Sequence, residues 1–344
     1  MGHLCHITDI ASLTGLGYYQ GLMMARFFAA VMAALLPAGL AAEEKPLPTY
    51  KPGMRVNGPL TTVGSDTLNN LMVFWGEEFN KLHPKCRIQI EGKGSSTALS
   101  ALSRGVSDMG PMSRLPKPKE LEMFASARPD DVLLMFTVAM DAMCIVVRKD
   151  CPVEQLSLKQ VDAMFSTTLN RGAEQPVTQW SQLGVKGDLA EHKIRLLGRN
   201  SASASYGYFQ KAVLLKGDYR KDIQECRGSA HMVAALKPGH VGYVGFGYVT
   251  PNAKSLKIKD EGEYVAPTFD TIRGGSYPIS RQLYIAVPAH KEKGIKPEVQ
   301  EFLSYVLSRA GQEVVKKDGY VPLGLQQCRD GYRLLDAKDA NILE

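Results

Sequence analysis

Cysteine is scarce in this chain and never falls into a ligand-like pattern. The 344 residues hold six cysteines. None stands in Cys-x-x-Cys spacing and no two histidines sit at metal-ligand spacing, so no structural zinc site or redox dithiol is encoded. No long Lys/Arg block is present. Lys and Arg total 41 against 35 Asp and Glu, a formal charge of +6. That excess suits attraction of a small anion but not the tracking of a nucleic acid. No Gly-x-Ser-x-Gly elbow occurs, and His192, His231 and His240 match no triad pattern, which argues against a hydrolase or phosphatase. What remains is a globular composition, 44% hydrophobic and 22% charged, with 32 glycines and 19 prolines for many turns. The length predicts two domains, at about 150 residues each.

The one strongly apolar run lies near the N-terminus. Met24-Ala25-Arg26 is a short cationic start, and Phe27 to Leu40 has the length of a secretory hydrophobic region. Small residues at Gly39 and Ala41 place cleavage after Ala41 or Ala42. The run falls short of the roughly 20 residues of a membrane span, and Glu43, Glu44 and Lys45 follow at once. An uncleaved anchor is the alternative. Residues 1–22 fit no part of a signal peptide, so Met23 or Met24 is expected as the true start. Beyond the leader five cysteines remain, Cys86, Cys144, Cys151, Cys226 and Cys328. Five allow at most two bridges. Cys151 with Cys226 is one candidate, and Cys144, in an apolar strand, reads as a buried thiol.

Strands then alternate with helices. Leu60–Val63 reads as a strand, and Leu68, Leu71, Met72, Trp75, Phe79 and Leu82 recur at helical spacing behind it. Ser65 or Asp66 is the expected cap and Pro84 the stop. Ile88 and Ile90 alternate in a strand that runs into Gly92-Lys93-Gly94-Ser95-Ser96, with a short helix after it ended by Gly105. Val106–Gly110 reads as another strand end. Val138–Val147 is apolar throughout, as in a strand buried on both faces. Ser157-Leu158-Lys159-Gln160 is a capping box. Ile194–Leu197 leads into Gly198-Arg199-Asn200-Ser201-Ala202-Ser203-Ala204-Ser205 and a helix with Tyr206, Phe209, Val213 and Leu214. Ser229 is expected to cap a further helix, and Val241–Phe246 and Tyr284–Val287 read as strands, the latter closed by Pro288. Pro297 to Lys317 reads as helix. The aromatic run Tyr243–Tyr248 has no basic cluster beside it, so core packing is expected rather than base stacking. This alternation means an α/β fold with parallel sheet, in two lobes.

Three of the strand-to-helix junctions are rich in Ser and Gly. Any single one is explained as an ordinary N-cap. Helix openings also hold anions, because unpaired N–H groups converge where the dipole is positive, and the third junction carries Arg199.

Gly64-Ser65-Asp66-Thr67, Gly92-Lys93-Gly94-Ser95-Ser96, Asp108-Met109-Gly110 with Ser113-Arg114, and Arg199 through Ser205 occur in this order. Together with Val138–Asp141 and Tyr277-Pro278-Ile279-Ser280-Arg281, they resemble the phosphate-binding proteins of high-affinity phosphate ABC importers, from about Leu60 to Pro322. The resemblance implies a class II periplasmic binding fold, two α/β lobes joined by two crossover segments near Val138–Asp141 and Gly275–Ser280. Lobe I would be discontinuous, 43–139 with 276–344, lobe II 140–275, and 1–42 the leader. It implies an exported, periplasmic monomer that captures inorganic phosphate and presents it to a membrane permease, with no cofactor, metal or catalysis. Sulfate, arsenate or a secreted scavenger are the alternatives.

By position, the resemblance sets Ser65, Asp66, Thr67, Ser95, Ser96, Ser113, Arg199, Ser203, Ala204 and Ser205 around the ligand. In the better-known form a Thr stands at 66, Ser-Gly-Thr at 203–205, and an Asp at 113 that accepts the proton of phosphate. With Ser113 there, Asp66 is expected to supply the acceptor, unless it only caps its helix. Sulfate offers no proton and would be repelled by such a carboxylate. Arg114 is expected to contact the anion or to pair with Asp66, and Lys93 to be a solvated or steering charge.

Overall fold

The computed structural model describes residues 46–201 and 203–336. The leader, its cleavage site, the true start and Ala202 lie outside the described residues.

The described residues form twelve strands: β1 (Gly58–Gly64), β2 (Cys86–Gly92), β3 (Gly110–Met112), β4 (Asp131–Arg148), β5 (Gln155–Ser157), β6 (Arg195–Gly198), β7 (Gln224–Glu225), β8 (His240–Gly245), β9 (Ala253–Ser255), β10 (Lys257–Lys259), β11 (Ser280–His290) and β12 (Gly294–Ile295). Among the described residues ten α-helices accompany them: α1 (Asn69–Leu82), α2 (Ala98–Ser103), α3 (Pro118–Ala127), α4 (Leu158–Phe165), α5 (Ala204–Ala212), α6 (Ser229–Ala234), α7 (Phe269–Arg273), α8 (Pro297–Val306), α9 (Arg309–Lys317) and α10 (Leu325–Asp336). β1 and β2 pair in parallel, as do β5 and β10. The main sheet runs β12-β11-β4-β8-β6-β7, with β3 on β11 and β9 on β4.

β4 is the spine. Its first half pairs antiparallel with β11, from Ser280 opposite Ala142 to His290 opposite Asp131. Its second half, from Met143, pairs with β8 and β9. One 18-residue strand therefore passes from one lobe into the other, and each end packs its own satellite core. Ala98, Leu99, Leu102, Met112, Phe124 and Ala286 cluster toward the first. Cys144, Val146, Leu197, Cys226, Met232 and Val244 cluster toward the second. The boundaries drawn from sequence fall inside β4 (139/140) and a few residues before β11 (275/276).

The amphipathic stripe of α1 is inward as its spacing requires: Leu71, Met72, Trp75 and Phe79 are fully buried, while Leu82 is 48% exposed. Ser65 takes the cap, its Oγ accepting the Thr67 N–H at 3.3 Å, and a short 3-10 turn Asp66–Leu68 precedes the helix. The Ser157 capping box forms, with Ser157 Oγ and Gln160 Oε1 satisfying each other's backbone N–H groups at 3.2 and 2.8 Å.

Five expectations are corrected. The main sheet is mixed rather than parallel, since β4 pairs antiparallel with β11, β8 and β9 and only β6 lies parallel to its neighbours β8 and β7. Pro288 does not close its strand: β11 runs on to His290, with Pro288 opposite Leu133 of β4 and in the gap on the other edge between the stretches paired with β3 and β12. The helix expected over 297–317 is two helices, since Ser308 caps a new one and accepts the Gly311 N–H at 3.3 Å. Gly228, not Ser229, is the cap of α6. The five cysteines after the leader are all free and buried, so Cys151 and Cys226 are not bridged.

Candidate functional site

The three serine-rich junctions open on neighbouring ground. At the first, β1 ends in Gly64, whose absent Cβ would stand 2.2 Å from the Pro111 carbonyl oxygen. Only glycine allows that approach. It lets the Ser65 N–H donate to Pro111 O at 2.7 Å, which fixes the Ser65 side chain beside β3, whose end leads directly into Ser113. Ser65 Oγ and Ser113 Oγ are 3.2 Å apart, Ser95 Oγ lies 3.2 Å from Ser113 Oγ, and the Ser113 N–H donates to Ser95 Oγ at 3.0 Å. Ser65, Ser95 and Ser113 thus form one hydroxyl cluster, and Ser65 is only 3% exposed.

One hydrogen bond away, through the Thr67 N–H on Ser65 Oγ, a cavity of about 140 Å³ opens. Thr67 and Asn70 line it from the first junction, Arg199, Ala204, Ser205 and Tyr208 from the third, Asp141 and Met143 from β4, and Arg281 from β11. Tyr248 and the run Asp318–Tyr320 complete it, with Ser229 and Gly245. The Tyr320 hydroxyl donates to the Thr67 carbonyl at 2.7 Å, tying that run to the first junction.

Arg199 is held by its backbone, whose N–H donates to the Tyr243 hydroxyl at 3.2 Å. Its side-chain Nε is buried and has no protein partner. Burying a guanidinium N–H unpaired is costly. The second guanidinium, Arg281, is spoken for. Its Nε and Nη2 lie 2.9 and 2.8 Å from Asp141 Oδ2, and its plane sits 3.8 Å from the centre of the Tyr208 ring. Burial raises the Asp318 carboxyl to about 6, and pushes the Tyr208 and Tyr320 hydroxyls above their ordinary range.

Of the ten residues singled out from sequence, Thr67, Arg199, Ala204 and Ser205 line the cavity, and Ser65, Ser95 and Ser113 make the adjoining cluster. Asp66 and Ser96 are exposed in the 3-10 turns that open the first two helices, and Ser203 is the N-cap of α5. None of these three lines the cavity. Arg114 does not pair with Asp66. It forms a two-pronged bond to Glu120 at 2.7 and 2.8 Å, and its hydrogen bonds hold the Glu120 carboxyl below the usual range. Lys93 pairs with Glu91 at the surface.

Sequence reading missed the carboxylates Asp141 and Asp318 and the rings Tyr208, Tyr248 and Tyr320. Asp141 and Arg281 stood in quoted motifs without a role, since only strand register reveals that they face each other. Asp318 carried a local signal: an acid at the end of a helix whose last turn should favour cations.

The chain matches the PBP superfamily domain over residues 45–310. It is 42% identical over 293 residues to the phosphate-binding protein PstS of Pseudomonas aeruginosa, covering 83% of this chain and 90% of that protein. Among solved structures, PstS from Borrelia burgdorferi superposes with a TM-score of 0.60 at 18% identity, covering 78% of this chain and 99% of that one. An ABC-type phosphate transport receptor from Vibrio cholerae gives 0.58 at 24%, covering 76% and 99%. These two establish the two-lobed α/β fold. With the identity to the Pseudomonas protein spanning most of both chains, the chain belongs to the PBP superfamily and, within it, to the PstS family.

Proposed function

We propose that this chain captures inorganic phosphate in the cavity between its lobes and delivers it to the membrane permease of an ABC importer. It is exported to the periplasm as a monomer by a cleavable leader, and performs no chemistry on the ligand. One observation carries the reading: a guanidinium with a buried, unpartnered Nε shares a cavity with the openings of two helices, in a chain of the PstS family. Arg199 supplies the full charge. The backbone N–H groups around Thr67 and Ala204–Ser205 supply donors, and the hydroxyls of Ser65, Ser95 and Ser113 supply more; Asp66, Ser96 and Ser203 flank these donors in sequence.

The energetics suffice. Micromolar affinity needs about −8 kcal/mol, and charge-assisted hydrogen bonds contribute about 1.5–3 kcal/mol each. Roughly six donors therefore exceed the requirement even after the cost of ordering and closing the lobes. The test is isothermal titration of refolded, ligand-free protein with phosphate, sulfate and arsenate at two pH values. Tight phosphate binding with weak sulfate binding is expected. Equal affinity for sulfate would make the chain a general oxyanion receptor, and no phosphate binding would end the proposal.

A further inference from the structure

The opening of α5 faces the cavity without a side-chain cap. Its N-cap Ser203 makes no side-chain hydrogen bond to the helix, and the first N–H groups of a helix have no partner within it. Where the Ala204 and Ser205 N–H groups point therefore depends on how the whole helix is seated. Part of that seat lies behind the cavity. Phe209 is fully buried, its ring stacked 4.0 Å from that of Tyr243. At the far end Arg171 Nη2 donates to the Ala212 carbonyl at 2.7 Å. Neither Phe209 nor Ala212 lines the cavity.

On the cavity side the seat is Arg281. Tyr208 follows Ala204 by one turn and shares its helix face, and the Arg281 guanidinium lies 3.8 Å from the centre of its ring. Strand register sets Arg281 directly opposite Asp141, and its Nε and Nη2 are 2.9 and 2.8 Å from Asp141 Oδ2. Asp141 stands on β4, the strand that passes between the lobes. A planar guanidinium can give its edge to a carboxylate and its face to a ring at once, which an ammonium cannot. Both side chains of the pair are largely shielded, 21% and 13% exposed, and a cation over a ring is held more strongly where water is excluded.

We propose that Arg281 is a positioning residue for anion capture: clamped by Asp141 on the strand that joins the lobes, it seats the α5 opening through the ring of Tyr208. This inference rests on the cavity being the oxyanion site. Arg199 brings the charge that binds. Arg281, its own charge balanced by Asp141, fixes geometry. The clamp has a signature, because Arg281 and Tyr208 act on the ligand as one unit. Once either half is lost, losing the other costs nothing more.

The experiment is calorimetric titration with inorganic phosphate of wild type, Tyr208→Leu, Tyr208→Phe, Arg281→Lys and the Tyr208→Leu/Arg281→Lys double variant. Thermal unfolding of each ligand-free protein accompanies it. Leu removes the ring, and Lys keeps the charge beside Asp141 but not the plane. Tyr208→Leu and Arg281→Lys are each expected to weaken binding by about 3- to 30-fold, and the double variant by no more than the larger single effect. Tyr208→Phe, which keeps the ring, is expected to bind at least about threefold more tightly than Tyr208→Leu. Losses that multiply in the double variant would put Arg281 on the ligand itself and overturn the inference. Affinities within about twofold of wild type in Tyr208→Leu and Arg281→Lys, with Tm lowered or not, would also overturn it, since the contact would then serve the fold alone. Should the double variant not fold, equal affinities of Tyr208→Phe and Tyr208→Leu overturn it. A wild type that binds no phosphate refutes the functional reading itself, and the inference with it.

Discussion

Arg199→Ala removes the guanidinium from the cavity, and its consequences separate binding from folding. The guanidinium makes no ion pair among the described residues, and its buried Nε has no protein partner, so truncation leaves no other protein group unpaired. The backbone bond to the Tyr243 hydroxyl survives the change. Folding stability is therefore expected to move by about 1 kcal/mol or less, a shift of roughly 2–4 °C in Tm. Binding is another matter. Loss of two charge-assisted hydrogen bonds costs about 3–6 kcal/mol, which is roughly a 10²- to 10⁴-fold loss of affinity. Phosphate calorimetry with thermal unfolding of the ligand-free protein reads both quantities. Affinity within threefold of wild type would refute the role given to Arg199. A large drop in Tm with little change in affinity would make the residue structural.

Tyr243→Phe deletes the hydroxyl that accepts the Arg199 N–H. It is expected to weaken phosphate binding by roughly fivefold, about 1 kcal/mol, without removing any cavity-lining group, as titration would show. Gly64→Ala forces a Cβ to within 2.2 Å of the Pro111 oxygen. The shift it demands should destabilise the fold by about 1–3 kcal/mol in denaturant unfolding and loosen the serine cluster. Glu120 has its carboxyl lowered by hydrogen bonds from Arg114. Its stabilisation is therefore complete above the unfolded carboxyl range and is lost as pH falls through the lower folded value. Glu120→Gln should lower Tm at pH 7, and the deficit should vanish in strong acid.

Local grammar was legible where it is decided locally. The α1 stripe through Phe79 and the Ser157–Gln160 box depend on residues a turn apart and formed as read, and of the two caps expected at the first junction Ser65 is the one used, on the 3-10 turn that leads into α1. β4 was read only over its apolar middle. Its first part alternates, with Leu134 and Phe136 buried between half-buried neighbours, so its pattern differs from the doubly covered stretch that follows. Arg114 was misread because Glu120 is already anchored by the Lys117 N–H at the start of α3. A fixed carboxylate six residues away competes better than Asp66, which stands exposed on another junction. Asp141 with Arg281 could not be found by spacing, since 140 residues separate them and β4–β11 register alone joins them. The cavity is likewise a product of tertiary structure: Thr67, Arg199 and Asp318 come from three distant segments.

The central claim is that Thr67, Arg199 and the Ala204–Ser205 helix opening, beside the Ser65–Ser95–Ser113 hydroxyls, hold one tetrahedral oxyanion. A crystal soaked in arsenate and measured at the arsenic absorption edge locates such an ion directly. The account predicts a single anomalous peak per chain in this cavity, within hydrogen-bond reach of the Arg199 guanidinium. A peak elsewhere on the chain, or none here at saturating arsenate, would contradict it.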